Sequence, residues 1–323
     1  MILGSTISPR LIRGQLREYQ DVALDWLVAM NKKHLPTILA DEPGLGRRVT
    51  TAALLAHLAS DLGDWGPHLV VAPLSACDRW QTALRSWCPA LAVTVYSGNG
   101  RDRRRLRHDF ANALASGHPL PNVILTSYRA LFLDQDWFVG VVRWRHLVLA
   151  EVQNVAAVGT PEHIRALCQL RSCGRLLIMS GPLKENPIDL WQLLYILLPR
   201  SYNLHHGVGQ TVVEGTVEYN ETVRKLQKVL APFILSRGRA RTAGLDKQLP
   251  VVKEVPIHVS LTRRQRKMYD DYIQQPDNQV ERIINKQTWS ISYGYFYTGV
   301  VTTRRRHLRV RHDQLSLLHL QPP

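Results

Sequence analysis

The sequence predicts an α/β fold, a parallel sheet with helices on both faces, followed by a mainly helical insertion. Two observations predict it. From about residue 16 to 200, short apolar runs alternate with longer amphipathic stretches, the pattern of strands joined by crossover helices. The runs also carry Val, Ile or Leu at consecutive positions, as strands covered on both faces do.

The runs are, in order, TILAD (37–41), HLVVAP (68–73), AVTVYS (92–97), NVILTSY (122–128), HLVLAE (146–151) and RLLIMSG (175–181). Between them, stretches such as 49–60 and 77–87 are long enough for crossover helices. Trp80, Trp87 and Trp191 sit on apolar helical faces and read as core packing. After Pro199 the pattern changes. Residues 200–230 read as a helical insertion with turns at Gly207, Gly209 and Gly215, and residues 231–275 carry the basic stretches SRGRAR (236–241) and LTRRQRK (261–267). The expected organisation is an extension over 1–15, the α/β lobe over 16–200, an insertion and bridging segment over 201–275, and a divergent basic tail over 276–323.

Composition narrows the function classes. The 323 residues hold 41 Lys and Arg against 26 Asp and Glu, a net charge of +15, with a hydrophobic fraction of 45%. That fraction excludes general disorder, and the charge favours a polyanionic partner. No run approaches the roughly 18 apolar residues of a membrane span, so no membrane partner is expected. The beginning, MILGSTISPRLIRG, lacks the apolar core of a secretory signal. Cys77, Cys88, Cys168 and Cys173 form no CxxC pair and read as reduced thiols of a cytosolic or nuclear chain. The histidines show no HxxxH or HExxH spacing, so no metal site is expected.

The first run leads into Glu42-Pro43-Gly44-Leu45-Gly46-Arg47-Arg48 and then a helix. A Gly-rich turn between strand and helix can cradle phosphates with backbone N–H groups, or it can be no more than a tight turn. The order of further segments is more specific: LREYQ (16–20), VVAPLSACDRW (70–80), ILTSY (124–128), VLAEVQ (148–153), IMSGPLKEN (178–186), LWQLLYILLP (190–199) and APFILSR (231–237). Over residues 16–275 this series resembles the first RecA-like lobe of the SWI/SNF family of helicase-like chromatin-remodelling ATPases. DEPGLGRR stands where that family has the phosphate loop DExGLGKT, LAEVQ where it has the DEAH-type box, and GPLKEN where it has GTPLQN. APFILSR matches the segment that bridges the two lobes. GDWGPHLVVAP and RSWCPAL look closer to the Swr-type (SRCAP and domino-like) branch than to others.

The resemblance implies a RecA-like, P-loop NTPase sheet and assigns the nucleotide site to Gln20, Asp41, Glu42, Gly44, Leu45, Gly46, Arg47 and Arg48. It also shows where this sequence departs from the family. Arg47 stands at the lysine position, Arg48 at the hydroxyl position and Ala150 at the metal-binding aspartate. Glu151 alone keeps the catalytic carboxylate, and Gln153 replaces a histidine. Phosphoryl transfer relies on the lysine, the hydroxyl and the metal carboxylate together, and one lost charge-stabilising group costs about 10²–10³ in rate. A degenerate ATP site follows. Weak ATP binding without Mg²⁺ through the two arginines stays open, as does their pairing with Asp41, Glu42 or Glu151 so that they fill the pocket themselves.

The same resemblance implies DNA contact through Ser75, Arg79, Thr126 and Ser127. In RDRRRLR (101–107) the five arginines Arg101, Arg103, Arg104, Arg105 and Arg107 have only Asp102 and Asp109 near in sequence, and read either as a phosphate-contacting patch or as a solvated helix face. The tail arginines (304, 305, 306, 309 and 311) read as a nuclear-localisation or nucleic-acid patch, or as a product of alternative splicing. Nothing after residue 275 resembles the family's second lobe. The expectation is a nuclear scaffold that binds DNA, nucleosomes or remodeller subunits. The alternatives are an active DNA-dependent ATPase lobe completed by a second lobe on another polypeptide, and a truncated product without function.

Overall fold

The computed structural model describes residues 11–140, 143–158, 160–180, 186–199, 217–238, 260–274, 301–302 and 307–308. The first unit, Met1–Leu249, begins with α1 (Glu18–Lys32), β1 (Thr37–Leu39) and α2 (Arg47–Leu62). It continues with β2 (His68–Ala72), α3 (Leu74–Trp87), β3 (Val93–Tyr96), α4 (Gly100–Ala115) and β4 (Val123–Ser127). Then come α5 (Tyr128–Leu133), α6 (Gln135–Gly140), β5 (Trp144–Ala150), α7 (Val152–Val158), α8 (Pro161–Gln169) and β6 (Ser172–Ile178). It closes with α9 (Pro187–Leu197), α10 (Val217–Leu230) and β7 (Ile234–Leu235).

The seven strands form one parallel sheet in the order β3-β4-β2-β5-β6-β1-β7. Consecutive side chains leave opposite faces of a strand, and this chain supplies an apolar residue for each. Leu69, Val71, Leu147 and Leu149 enter a core covered by helices including α5, α8, α9 and α10. Their neighbours Val70, Ala72, Val148 and Ala150 enter a second core beneath α1, α2 and α3. α2 is buried from Thr50 to Ala59, which explains its Ala and Leu all round the helix. Trp80 is buried and Trp87 partly buried in the second core, while Trp191 packs against the first.

Two expectations change. AVTVYS forms an edge strand in which only Tyr96 is buried, because β3 pairs on one side alone. The sheet also extends past residue 200. APFILSR delivers β7, which pairs with β1 through Ile38↔Ile234 and Leu39↔Leu235, so the segment expected to bridge away from the lobe is a strand of it. The second unit, Pro250–Pro323, contains among the described residues α11 (Arg263–Gln274) and an antiparallel pair, β8 (Val301–Thr302) and β9 (His307–Leu308). α11 starts on a reciprocal cap. The Thr262 backbone N–H donates to Gln265 Oε1 at 2.9 Å, and Gln265 N–H donates to Thr262 Oγ1 at 3.3 Å. The predicted tail arginines and the insertion over 200–216 lie outside the described residues.

One cation and two neutral histidines are absorbed by this framework. Arg175, buried in β6, donates to the carbonyls of Leu170 at 2.9 Å and Ile196 at 2.5 Å, so one guanidinium caps the C-terminal ends of α8 and α9. Burial lowers its pKa to about 10. At the opposite edge of the sheet from the strand C-termini, His68 and His146 are cross-strand neighbours, buried, with both His68 nitrogens and His146 Nε2 lacking hydrogen-bond partners. Burial holds His68 at about 4, against the pull of Asp64, and His146 at about 3.

In the unfolded chain both histidines take up a proton near pH 6.5, whereas the folded chain resists until about pH 4 and below. The unfolded state therefore binds more protons across that window, and stability falls as pH falls through it. We expect the thermal midpoint to drop on acidification from pH 7 to pH 4, and the His68→Gln/His146→Gln double variant to lose less over the same range. Parallel loss in both proteins would refute the assignment.

Candidate functional site

The site is assembled at the C-terminal ends of β1, β5 and β6, where ligands bind in open parallel sheets. After β1 the chain turns through residues 42–46 and enters α2 at Arg47. Gly44 and Gly46 have φ of +102° and +80°, left-handed values that a side chain opposes. At Gly46 a side chain also has no room, since a Cβ there would collide with Gln20 Nε2. Gln20 holds the loop from outside. Its Nε2 donates to the Leu45 carbonyl at 3.2 Å, and its Oε1 accepts from the Arg17 backbone N–H at 3.0 Å. Both ends of the Gln20 amide, which the resemblance assigns to the nucleotide site, are thus engaged within the protein.

Asp41 is 1% exposed and is gripped by Arg237, whose Nε lies 3.0 Å from Oδ1 and Nη2 2.5 Å from Oδ2. Arg237 also donates to the Tyr19 carbonyl and lies over the Tyr19 ring at 5.7 Å. The backbone around it is stitched to the loop: Ala40 N–H donates to Leu235 O at 2.8 Å, and Glu42 N–H to Arg237 O at 3.0 Å. Asp41 therefore serves the loop's anchorage. The sequence offered only a faint sign of this partner, since Arg237 stands in SRGRAR as one of three arginines.

Arg47 turns its guanidinium across the loop to β6, donating through Nη1 to the Met179 carbonyl and through Nη2 to Ser180 Oγ at 3.1 Å. Burial lowers the pKa of the guanidinium, an effect that Glu151 and Asp41 oppose and Arg48 reinforces. Arg48 is half-buried beside it. Arg47 is thus bonded to a carbonyl and a hydroxyl, with Glu151 and Asp41 acting on it through their charge. Ser180 N–H in turn donates to Gln153 Oε1 at 3.4 Å, linking this strand end to the turn after β5.

That turn is made by Glu151 at φ +54°, a left-handed conformation that costs a non-glycine residue about 1–2 kcal/mol. Ala150 keeps only its backbone oxygen, which accepts from the buried Tyr128 hydroxyl at 2.9 Å. Burial, with Glu151 adding to it, pushes the Tyr128 phenol far above its usual range. Gly181 and residues 182–185 of GPLKEN lie outside the described residues.

The predicted DNA-contact residues separate into two groups. Ser75 and Arg79 are exposed on the first turns of α3. Thr126 and Ser127 are corrected: both are buried, Thr126 Oγ1 donates to Tyr96 O at 3.0 Å, and Ser127 Oγ accepts from Ala130 N–H at 3.2 Å as the cap of α5. Their hydroxyls satisfy the fold. The arginine cluster also divides, because Asp134 supplies the countercharge that the local sequence lacked. Arg103 Nε and Arg107 Nη1 each lie 2.6 Å from Asp134, and Tyr96 Oη donates to the same carboxylate at 2.8 Å. Burial resists ionisation of Asp134, but the hydrogen bonds from Arg103, Tyr96 and Arg107 outweigh it and hold the carboxyl below its usual range. Burial and the bond to Asp134 raise Tyr96 to about 12. Arg101, Arg104 and Arg105 remain exposed.

A parallel sheet flanked by helices, with a glycine loop leading from its strand into a helix N-terminus and a glutamate at a neighbouring strand end, defines a lobe of the P-loop NTPase class. The chain belongs to the SNF2-related domain family, whose pattern matches residues 19–304 and so runs past residue 275 into the segment expected to lack a family counterpart. It is 38% identical over 276 residues to Helicase ssl-1 of Caenorhabditis elegans and 36% identical over 273 residues to Helicase domino of Drosophila melanogaster. Each alignment covers 82% of this chain but only 11% and 8% of those proteins. It is 35% identical to Helicase swr1 of Emericella nidulans, over 82% of this chain and 16% of that one. The chain thus spans less than a fifth of these relatives. Its fold matches the Sulfolobus solfataricus SWI2/SNF2 ATPase core in complex with dsDNA, with a TM-score of 0.58 and 25% identity, over 86% of this chain and 55% of that one.

Removing Arg237 leaves the Asp41 carboxylate buried without its countercharge, and breaking one side of such a pair costs about 3–5 kcal/mol. Arg237→Ala is expected to lower unfolding stability by that order in urea titrations. Arg237→Lys should recover only part, because an ammonium cannot bridge both oxygens. A wild-type midpoint for Arg237→Ala would contradict the clamp.

Proposed function

We propose that this chain is the first lobe of a SWI/SNF-type chromatin-remodelling ATPase whose nucleotide site has lost its chemistry, and that it acts in the nucleus as a scaffold on DNA or nucleosomes and on subunits of a remodelling complex. The observation that carries this reading is the set of residues placed around the loop of an otherwise intact family fold. Phosphoryl transfer needs a mobile cation, a metal-binding hydroxyl and a metal-binding carboxylate. The corresponding positions hold Arg47, bonded to Met179 and Ser180, Arg48, and Ala150, which has no side-chain oxygen.

The donor set does not fit a Mg²⁺-nucleotide. Asp41 is committed to Arg237, Glu151 is the carboxylate left at the strand ends, and Arg48 brings a second cation to a helix N-terminus that already disfavours positive charge. ATP binding, where it occurs, is weak and independent of Mg²⁺. An active lobe completed by another polypeptide would require Arg47 to leave its acceptors on β6, and turnover in its presence is the result that would favour that reading.

Nucleic-acid contact is supported by the exposed half of the arginine cluster and by the similarity to an archaeal ATPase core solved with dsDNA. Arg101, Arg104 and Arg105 stand on the solvent side of α4 with the exposed Ser75 and Arg79 on α3. Such groups bind phosphates without reading bases.

Malachite-green assays on the purified chain should show no phosphate release above background with or without duplex DNA; DNA-stimulated turnover would overturn the degenerate-site reading. Replacing Arg101, Arg104 and Arg105 with alanine should reduce the slope of log affinity against log salt by about 2–3, close to one per phosphate contact. Arg103→Ala and Arg107→Ala should instead lower thermal stability, since their charges are spent on Asp134. An unchanged salt slope in the triple variant would remove α4 from the DNA surface.

A further inference from the structure

We propose that Arg47 is an internal latch: its guanidinium ties the start of α2, directly after the phosphate loop, to the residues that follow β6, and thereby closes the site against nucleotide. Arg47 is the first residue of α2, directly after a loop whose glycines leave the backbone open to a phosphate. From there its side chain reaches the adjacent strand end, where Nη1 and Nη2 donate to Met179 O and Ser180 Oγ. Met179 is itself fixed to β1, its N–H donating to Leu39 O at 3.0 Å. Ser180 is fixed to the turn after β5 through Gln153. One guanidinium thus joins α2, β6 and, by way of Gln153, the turn that carries Glu151.

Position and length explain why arginine does this. The acceptors lie across the mouth of the loop, and a planar fork presents two parallel donors to two oxygens at once, where an ammonium presents a single point of charge. Charge-assisted bonds of this kind are the stronger ones, and Glu151 and Asp41 stand near enough to favour the cation where it lies. The Met179 carbonyl can only accept, so a phosphate cannot take the place of the guanidinium against it. A triphosphate entering the loop must therefore draw Arg47 off both. The apparent affinity of any such ligand is reduced by the fraction of chains in which the latch is open. The consequence is a sign opposite to that of a phosphate ligand: deleting the guanidinium opens the site.

The inference rests on the reading that the site no longer turns ATP over, and the two fail separately. Turnover by the wild-type chain removes the degenerate-site reading, whereas the latch is decided by variants of Arg47. Fluorescence titration of the full chain with mant-ATP, without Mg²⁺, should show tighter binding to Arg47→Ala than to wild type, by about tenfold if the latch is closed in nine chains of ten. Weaker, unchanged or undetectable binding in the variant overturns the latch, weaker binding identifying Arg47 as a phosphate ligand. Arg47→Met keeps the length of the chain without its donors and serves if Arg47→Ala does not fold. In the same variants, amide exchange at Met179 and Ser180 should accelerate, and protection equal to wild type counts against the connection.

Discussion

Asp41, two residues past the end of β1, is a carboxylate with almost no access to water, and an ion in that position is tolerated only with a partner that is both charged and geometrically matched. Arg237 is that partner, and much of the surrounding architecture follows from bringing it there. The residues just before it must run beside β1 to deliver the guanidinium, and in doing so they become the seventh strand. The same guanidinium reaches Tyr19, so the start of α1 is drawn to the loop, and Gln20, one residue on, closes over Leu45 and leaves Gly46 no room for a side chain. An ion pair between residues 196 positions apart thus sets the shape of the loop from three directions.

Among the described residues arginine is put to different uses, and its surroundings decide which applies. Arg175 is spent on helix-end carbonyls inside the core. Arg103 and Arg107 are spent on Asp134, holding α4 against the aromatic cluster of Tyr96, Trp137 and Phe138. Arg47 is spent on the end of β6. A net charge of +15 counts these equally with the arginines that face water. Asp134 cancels one of the two charges held by Arg103 and Arg107, and a charge cancelled within a few ångströms contributes little at a distance, whereas Arg47 and Arg175 keep theirs on neutral acceptors.

The loop leads from β1 into α2 with Arg47 and Arg48 as the first two residues of the helix. Gly44 and Gly46 hold left-handed conformations, and Glu151 accepts one at a cost. That geometry is maintained by packing and by Gln20, Tyr128 and Arg237, none of which depends on a nucleotide. The sheet and its loop are therefore held by groups within the protein.

Much of the architecture was legible in the sequence because apolar runs at consecutive positions have few uses other than strands covered on both faces, and six runs in alternation with helices leave few folds. The loop and its departures were legible too, since Arg47, Arg48 and Ala150 stand at fixed offsets from two glycines and a glutamate. What the chain did not reveal locally were the pairings: Asp134 with Arg103 and Arg107, Arg237 with Asp41, Arg47 with Met179, and the inward hydroxyls of Thr126 and Ser127. All but the Ser127 cap join residues roughly 30 or more positions apart, and two of them, those of Arg47 and Thr126, use a backbone carbonyl that every residue possesses. Periodicity and spacing are local properties, so the sequence by itself determined the sheet, the covering of its two faces and the position of the loop. Which charges cancel is decided by distance in space, and only the tertiary structure brings those groups within a few ångströms.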